Sequence, residues 1–243
     1  MESQRSAFWR NIRPGWLLAG LIIFGFVLGL IGDLFSPCPA LLASVCGPSL
    51  TATDLLAQNN TIVVYLHQFY ELFTSILVTD SPIDAGFNAV AVLILDRLTD
   101  DTFNMPRYFL IFFLTAILGN LLTLLEGPGY ASAGASGGIF GLIAAVFSYS
   151  WAKENRIELT TLIFFLIVFV GSSFLIANVN YVAHLGGAIG GFIAGPLLYQ
   201  SLKPQISNYG ETSTSRSLTK NMTAALIIGL VIGSIVQFAL FVG

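Results

Sequence analysis

Charge is what this sequence most lacks. Asp, Glu, Lys and Arg make up 9% of its 243 residues, where an average soluble protein spends about a quarter. Ten basic and thirteen acidic side chains cannot coat a 26.1 kDa globule in water. With 55% apolar residues and a mean hydropathy of +0.81, an ordinary soluble domain is excluded and lipid is the main solvent. Positive charge is equally scarce: a net charge of -3 leaves no basic stripe to neutralise phosphates, so nucleic acid is excluded as a partner. Two histidines and two cysteines, with no cluster of His, Cys and carboxylates, leave no metal site to expect.

What the chain has instead is long apolar runs. A transmembrane helix takes about 20 residues, and runs of that kind lie at 15–31, 79–95, 108–125, 136–151, 159–177, 181–202 and 222–242. The expected fold is an all-α, polytopic helical bundle of seven spans embedded in the lipid bilayer. The second is the weakest by hydropathy because Asp84 lies inside it. The first follows Arg5, Arg10 and Arg13 and reads as a signal anchor, since Asp33 and a loop with Pro and Cys come next rather than a small-residue cleavage site.

The loops check the count, because Lys and Arg collect on the cytoplasmic side. With seven spans and a cytoplasmic N-terminus, all ten basic residues fall inside, and removing the second span would invert every later loop. The C-terminus is then extracytoplasmic and the expected location is the plasma membrane. Residues 1–14 form a cytoplasmic tail, 15–202 a six-helix body with a long external loop at 33–78, 203–220 a polar linker, and 221–243 an additional helix.

Cys38 and Cys46 share that external loop, where an oxidising compartment favours a disulfide over free thiols or a metal site. Asn59-Asn60-Thr61 on the same side fits an N-glycosylation acceptor, a pattern short enough to arise by chance.

Polar groups within spans are costly and tend to have a task. Here they are Asp84, Asn88, Asn120, Ser136, His184 and Gln237. Ser136 opens the fourth span and His184 lies one turn into the sixth, both of which enter from outside, so they share a depth. Sixteen residues give the fourth span only about 24 Å, which recesses Ser136 below the outer surface. The preceding Glu126-to-Gly134 stretch reads as non-helical, and hydrocarbon forbids such backbone unless protein or water lines it. A water-filled pocket open to the outside follows.

Gly134, Gly137, Gly138 and Gly141 surround the serine, and Gly187, Gly191 and Gly195 follow the histidine at intervals of four. Such stripes let helices approach closely. Contact between the spans is what a serine needs if an imidazole is to take its proton. Taken singly, the serine is a helix cap and the glycines a packing seam; Asn120 and Gln237 are better read as interhelical hydrogen bonds.

Gly134-Ala135-Ser136-Gly137 opening a span, with Ala183-His184-Leu185-Gly186-Gly187 two spans later, resembles the rhomboid family of intramembrane serine proteases. The resemblance covers the six-span body, and the appended seventh helix matches a variant of that architecture. It implies a Ser/His dyad without an acidic third member, no cofactor, and transmembrane proteins as substrates. Ser136 is then the nucleophile and His184 the base. The oxyanion would be held by backbone N–H of Ala135 and Ser136 and by Asn88. Phe140 would pack on the imidazole, core filling being its plainer reading.

Asp84 stands where the family has histidine. A carboxylate repels a developing oxyanion, so Asp84 could donate only when protonated; otherwise it turns aside or binds something else. Tyr70-Glu71 replaces the family's common Trp-Arg, a change that bears on loop packing. Gly134-x-Ser136-x-Gly138 also satisfies the α/β-hydrolase elbow, but that elbow requires a strand ahead of the serine and none is expected in this membrane, so the hydrolase reading is set aside. Two rivals stand beside the protease. One is a rhomboid-like protein that binds transmembrane clients without cutting them. The other is a transporter, which would show inverted repeats that are absent from this sequence.

Overall fold

The computed structural model describes residues 13–35, 52–79, 81–99, 103–154, 163 and 179–202. Five long helices dominate them: α1 (Pro14–Leu34), α5 (Pro82–Thr99), α6 (Met105–Thr123), α7 (Ser136–Glu154) and α8 (Tyr181–Leu202). Between α1 and α5 lie three short helices, α2 (Ala52–Leu56), α3 (Asn60–Tyr65) and α4 (Glu71–Thr74). The expected spans at 159–177 and 222–242, the pair Cys38 and Cys46, and Gln237 fall outside the described residues, apart from Ile163, which is helical.

Among the described residues, three helices are long and apolar enough to cross a membrane by length and composition, at Pro14–Gly32, Met105–Glu126 and Tyr181–Ser201. Large apolar side chains such as Trp16, Phe24 and Leu28 on α1, and Leu185, Ile189 and Phe192 on α8, are exposed. Water would penalise such faces, whereas hydrocarbon does not.

Local chemistry moves several helix ends away from where hydropathy put them. The helix in the expected second span, α5, begins at Pro82 rather than Thr79: Ser81 Oγ accepts the Asp84 N–H at 3.2 Å and Pro82 occupies the first helical position, a start signal stronger than the apolar run. Asp84 is therefore in the first turn. α6 starts early, at Met105, because Asn104 Oδ1 accepts from Arg107 N–H. α7 runs on to Glu154, since Ala152, Lys153 and Glu154 are strong helix formers. Its 19 residues reach about 28 Å, so a short fourth span does not by itself recess Ser136.

The core is built on α6, α7 and α8. A Cβ added at Gly138 would lie 2.7 Å from the Phe112 ring, and one at Gly141 would strike Thr115, which fixes α7 against α6. One at Gly186 would lie 2.8 Å from Gly119 Cα, fixing α8 against α6. Between α7 and α8 the approach is closest: side chains at Gly187 and Gly191 would collide with the carbonyl oxygens of Gly137 and Gly141. Ser148 Oγ donates to Gly191 O at 3.3 Å across the same seam. α5 joins through Ala85, Asn88, Ala89, Val92 and Leu95, one buried face at helical spacing. Tyr108 Oη donates to Val92 O at 2.7 Å from inside that contact. α1 packs on α5, where the buried Asp96 carboxylate accepts the Gly15 N–H at its start.

One feature departs from an all-helical expectation. β1 (Gln58–Asn59) pairs antiparallel with β2 (Ala131–Ser132), Gln58 opposite Ser132 and Asn59 opposite Ala131. This two-residue ladder clips the segment between α2 and α3 onto the segment leading to Ser136. It is too short, and too far ahead of the serine, to be the strand of a hydrolase elbow.

Replacing Gly191 by Val forces α7 and α8 apart, since the added carbon meets backbone that cannot step aside. The expected cost is about 1–3 kcal/mol, read as a lower unfolding midpoint in detergent; an unchanged midpoint would mean that the seam is not tight.

Candidate active site

Ser136 sits at the first position of α7, where geometry leaves the opening N–H groups without partners inside the helix. The first turn closes with Ile139 N–H on Ala135 O at 3.2 Å. Before it the chain is non-helical from Gly127 to Ala135 apart from β2. Gly134 has φ +136°, a backbone state that other residues rarely adopt, and its N–H donates to Ser75 O at 2.8 Å. The segment ahead of the serine is thus anchored to the end of α4.

His184 is placed by Asn180, which caps α8. Asn180 Oδ1 accepts from Ala183 N–H at 2.9 Å and its backbone carbonyl accepts from His184 N–H at 3.2 Å. The Asn180 amide donates both hydrogens, to Thr123 Oγ1 at 2.9 Å and Ser132 Oγ at 2.8 Å. One side chain therefore ties α8, α6 and β2 together one turn ahead of the imidazole.

His184 Nε2 and Ser136 Oγ lie 2.7 Å apart, joining residues 48 positions distant in sequence. Phe140, one turn along α7, stacks on the imidazole at 4.1 Å between ring centroids and 15° between planes. Tyr181 meets the same ring edge-on at 6.3 Å. Nδ1 has no hydrogen-bond partner among the described residues. A hydroxyl at hydrogen-bond distance from a neutral imidazole is the arrangement from which a base can take a proton. Among the described residues no acidic group holds the ring; stacking and the helix cap do.

Both side chains line a cavity of about 270 Å³. Its walls come from α2 (Thr53, Asp54), the start of α5 (Thr79, Ser81, Asp84), the β2 segment up to Gly134, Asn120, and the start of α8. Asp84 is 6% exposed and reaches this cavity, its Oδ2 3.2 Å from where a Cβ on Gly134 would be. Asn88, one turn on, is 2% exposed and lies behind the wall rather than in it; its Nδ2 has no partner among the described residues. Ala135 is buried.

Several residues around the cavity have roles that the sequence reading did not assign them. Asn120 does make hydrogen bonds between elements, donating to Leu72 O and Ser75 Oγ, each at 2.9 Å, and it also lines the cavity. Gln58, fully buried, donates to Asn120 O and to Asn60 Oδ1. Asn60 donates to Thr123 O at 2.7 Å and Gly127 O at 3.0 Å. Asn59 Oδ1 caps α3, accepting from Thr61 and Ile62 N–H, so the glycosylation-like triplet has a structural use. Glu71 is buried and its carboxylate accepts Asn59 N–H at 2.7 Å. Loss of water raises its pKa above the ordinary value, more than that hydrogen bond lowers it.

A family model for the rhomboid domain matches residues 66–201, which include Ser136, His184 and the walls contributed by α5, α6 and α8. The chain belongs to the rhomboid family. It is 27% identical over 180 residues to rhomboid protease GluP of Bacillus subtilis (strain 168), covering 73% of this chain and 33% of that protein. It is 25% identical over 225 residues to RHOMBOID-like protein 1 of Arabidopsis thaliana, covering 83% and 57%. To Rhomboid-like protease 3 of Toxoplasma gondii it is 28% identical over 134 residues, covering 54% and 51%. The chain thus spans a third to a little over half of these relatives. Family and apolar helices together make this rhomboid an integral membrane protein.

Two outcomes follow from the supporting network. Asn180→Ala strands buried partners and loosens the cap beneath His184, at a cost of about 1–3 kcal/mol; unfolding in detergent measures it, and no loss would contradict the cap's role. For Glu71, a folded-state pKa above the unfolded one means that folding takes up a proton between the two values. Loop stability is full below the ordinary value of 4.5 and declines as pH rises through the folded value. Hydrogen exchange at the Asn59 amide should show that decline, and Glu71→Gln should flatten it.

Proposed function

We propose that this rhomboid is an intramembrane serine endopeptidase that cuts transmembrane or membrane-proximal segments of client proteins, with Ser136 as nucleophile and His184 as general base. The observation that carries this reading is the 2.7 Å contact between His184 Nε2 and Ser136 Oγ in a cavity lined by polar side chains. The architecture that goes with it has six core spans and an added seventh helix at 221–243, a cytoplasmic N-terminus, an external loop at 33–78 and an extracytoplasmic C-terminus, in the plasma membrane.

The client segment unwinds at the cavity and presents its scissile carbonyl. His184 Nε2 takes the Ser136 proton while Oγ bonds to the carbonyl carbon. The imidazolium then returns that proton to the leaving amine as the C–N bond breaks, leaving an acyl-enzyme. Water, deprotonated by the same nitrogen, attacks the ester, and Oγ leaves with the proton. Negative charge on the carbonyl oxygen is met by backbone N–H at the α7 start, from Ala135 and Ser136, and by Asn88. The buried Asn88 Nδ2, without a partner among the described residues, is costly in the resting state, which fits a donor kept for an oxygen that appears only during reaction. Asn88 does not line the cavity at rest, so its donation requires α5 to turn toward the cavity. Asp84, as a carboxylate, would oppose that charge and is left out of the donor set. Phe140 holds the imidazole plane throughout.

Purified protein in proteoliposomes with a labelled single-span substrate tests the reading. Wild type should cut it and Ser136→Ala should not. Asn88→Ala should fold normally and cut about 10²- to 10³-fold more slowly. Cleavage that survives in Ser136→Ala removes the nucleophile. Binding without cleavage in wild type makes the protein a client-binding rhomboid instead, a reading that the changes at Asp84 and Glu71 would then explain.

A further inference from the structure

Of the three acidic side chains buried among the described residues, Asp84 reaches the cavity and Asp96 holds the start of α1, but the proposed reaction has no use for Glu71. Glu71 is 1% exposed and stands outside the cavity wall. Its carboxyl accepts the Asn59 N–H at 2.7 Å, which fixes β1 on the start of α4. The other end of α4 holds the far end of the segment that β1 pairs with. Ser75, the residue after α4, is buried, and its carbonyl accepts the Gly134 N–H at 2.8 Å. Asn59 lies opposite Ala131 in the ladder. Residues 131–134 are therefore tied at both ends to one short helix, through Asn59 and Glu71 at the start and through Ser75 at the end. That helix has a fixed place of its own: Asn120 of α6 donates to Leu72 O and Ser75 Oγ, each at 2.9 Å, and Thr74 Oγ1 donates to Leu56 O at 2.7 Å. Ser136 follows Gly134 by two residues, at most about 7 Å of chain, so where Gly134 is held limits where the hydroxyl can stand.

We propose that Glu71 is a positioning residue for the nucleophile: by holding β1 on α4 it completes a two-point clamp on residues 131–134 and so sets where Ser136 Oγ stands against His184. The proposal rests on the reading of Ser136 as nucleophile and gives that reaction a determinant outside the cavity. A segment held at one point pivots about it, and one held at two does not. With the Glu71 link gone, the Ser75–Gly134 bond alone would anchor the stretch to α4, and the 2.7 Å approach of Oγ to Nε2 would be kept only part of the time. What the clamp requires of position 71 is an acceptor oxygen at the Asn59 N–H. Gln presents one in the same place. Leu, of similar size, presents none and leaves that N–H without its partner.

The test compares wild type, Glu71→Leu and Glu71→Gln in nanodiscs at one neutral pH. Each is labelled with a fluorescent alkylphosphonate over a range of concentrations. In Glu71→Leu the maximal labelling rate at Ser136 should fall about tenfold, a loss in keeping with a reacting atom displaced by a fraction of an ångström, while the half-saturating concentration stays as in wild type. Glu71→Gln should restore the wild-type rate. Equal rates in Glu71→Leu and wild type, or a Gln variant as slow as Leu, overturns the proposal. Hydrogen exchange reads the clamp without any reaction. The Gly134 amide, which Glu71 does not touch, should exchange faster in Glu71→Leu and normally in Glu71→Gln, while amides in the middle of α7 such as Leu142 keep their protection; faster exchange throughout would mean general loss of stability and overturns the proposal. Should Glu71→Leu fail to fold, wild type decides: under mild denaturant Asn59 and Gly134 should open with one common free energy, and Gly134 opening independently of Asn59 overturns the proposal. The two readouts also separate this proposal from the reading on which it rests. Coupled exchange with no adduct on Ser136 in wild type upholds the clamp and ends the nucleophile reading; an adduct formed equally fast in all three proteins keeps the nucleophile and ends the clamp.

Discussion

A hydrogen bond between side chains on two helices holds only if the helices cannot drift by even half an ångström, and lipid gives them no hydrophobic reason to stay together. What holds α7 against α8 is the absence of side chains. Gly187 and Gly191 lie against the carbonyls of Gly137 and Gly141, and Gly195 against Ser148. Ser136 is one residue before Gly137, and His184 is one turn before Gly187. The backbone contact and the 2.7 Å approach of the dyad are therefore the same packing event seen one turn apart. Phe140, next along the same face of α7, fills the remaining gap on the imidazole.

The second constraint is polar. A cavity that admits water requires irregular backbone at its rim, and each of those groups needs a partner. Buried amides and carboxylates supply them. Gln58, Asn60, Asn120 and Asn180 bridge the segment between α1 and α5, the end of α6, the β2 segment and the start of α8, and Glu71 holds β1 from behind. Each satisfied group would be costly if orphaned, so the network makes the loop part of the site's frame. Where the family's common Trp-Arg is replaced, Tyr70 faces outward and Glu71 inward, and the carboxylate takes up a structural duty.

The pieces legible from sequence were those carried by local motifs. Ser136, His184 and the glycine stripes stand in short patterns whose spacing already implies contact, and the sixth span was bounded at 181–202 as the helix runs. Helix ends were less legible, since Ser81-Pro82 and Asn104 act through caps that hydropathy does not weigh. α7 outran its apolar stretch because helix propensity continues past the last apolar residue. The β1–β2 clip and the amide network were hidden for a different reason. Gln58 and Asn120 are 62 residues apart and Asn60 and Gly127 are 67 apart, and no periodicity within either segment points to the other. Asp84 was visible as an anomaly, but its place in the wall, with Asn88 behind it, depends on how α5 is rotated against α7.

The central claim is that the imidazole of His184 activates the hydroxyl of Ser136. Labelling of the membrane-embedded protein with an alkylphosphonate, mapped by mass spectrometry, tests it without knowledge of any client. The account predicts an adduct on Ser136 in wild type and its loss in His184→Ala. No adduct on Ser136, or equal labelling once the imidazole is gone, would contradict it.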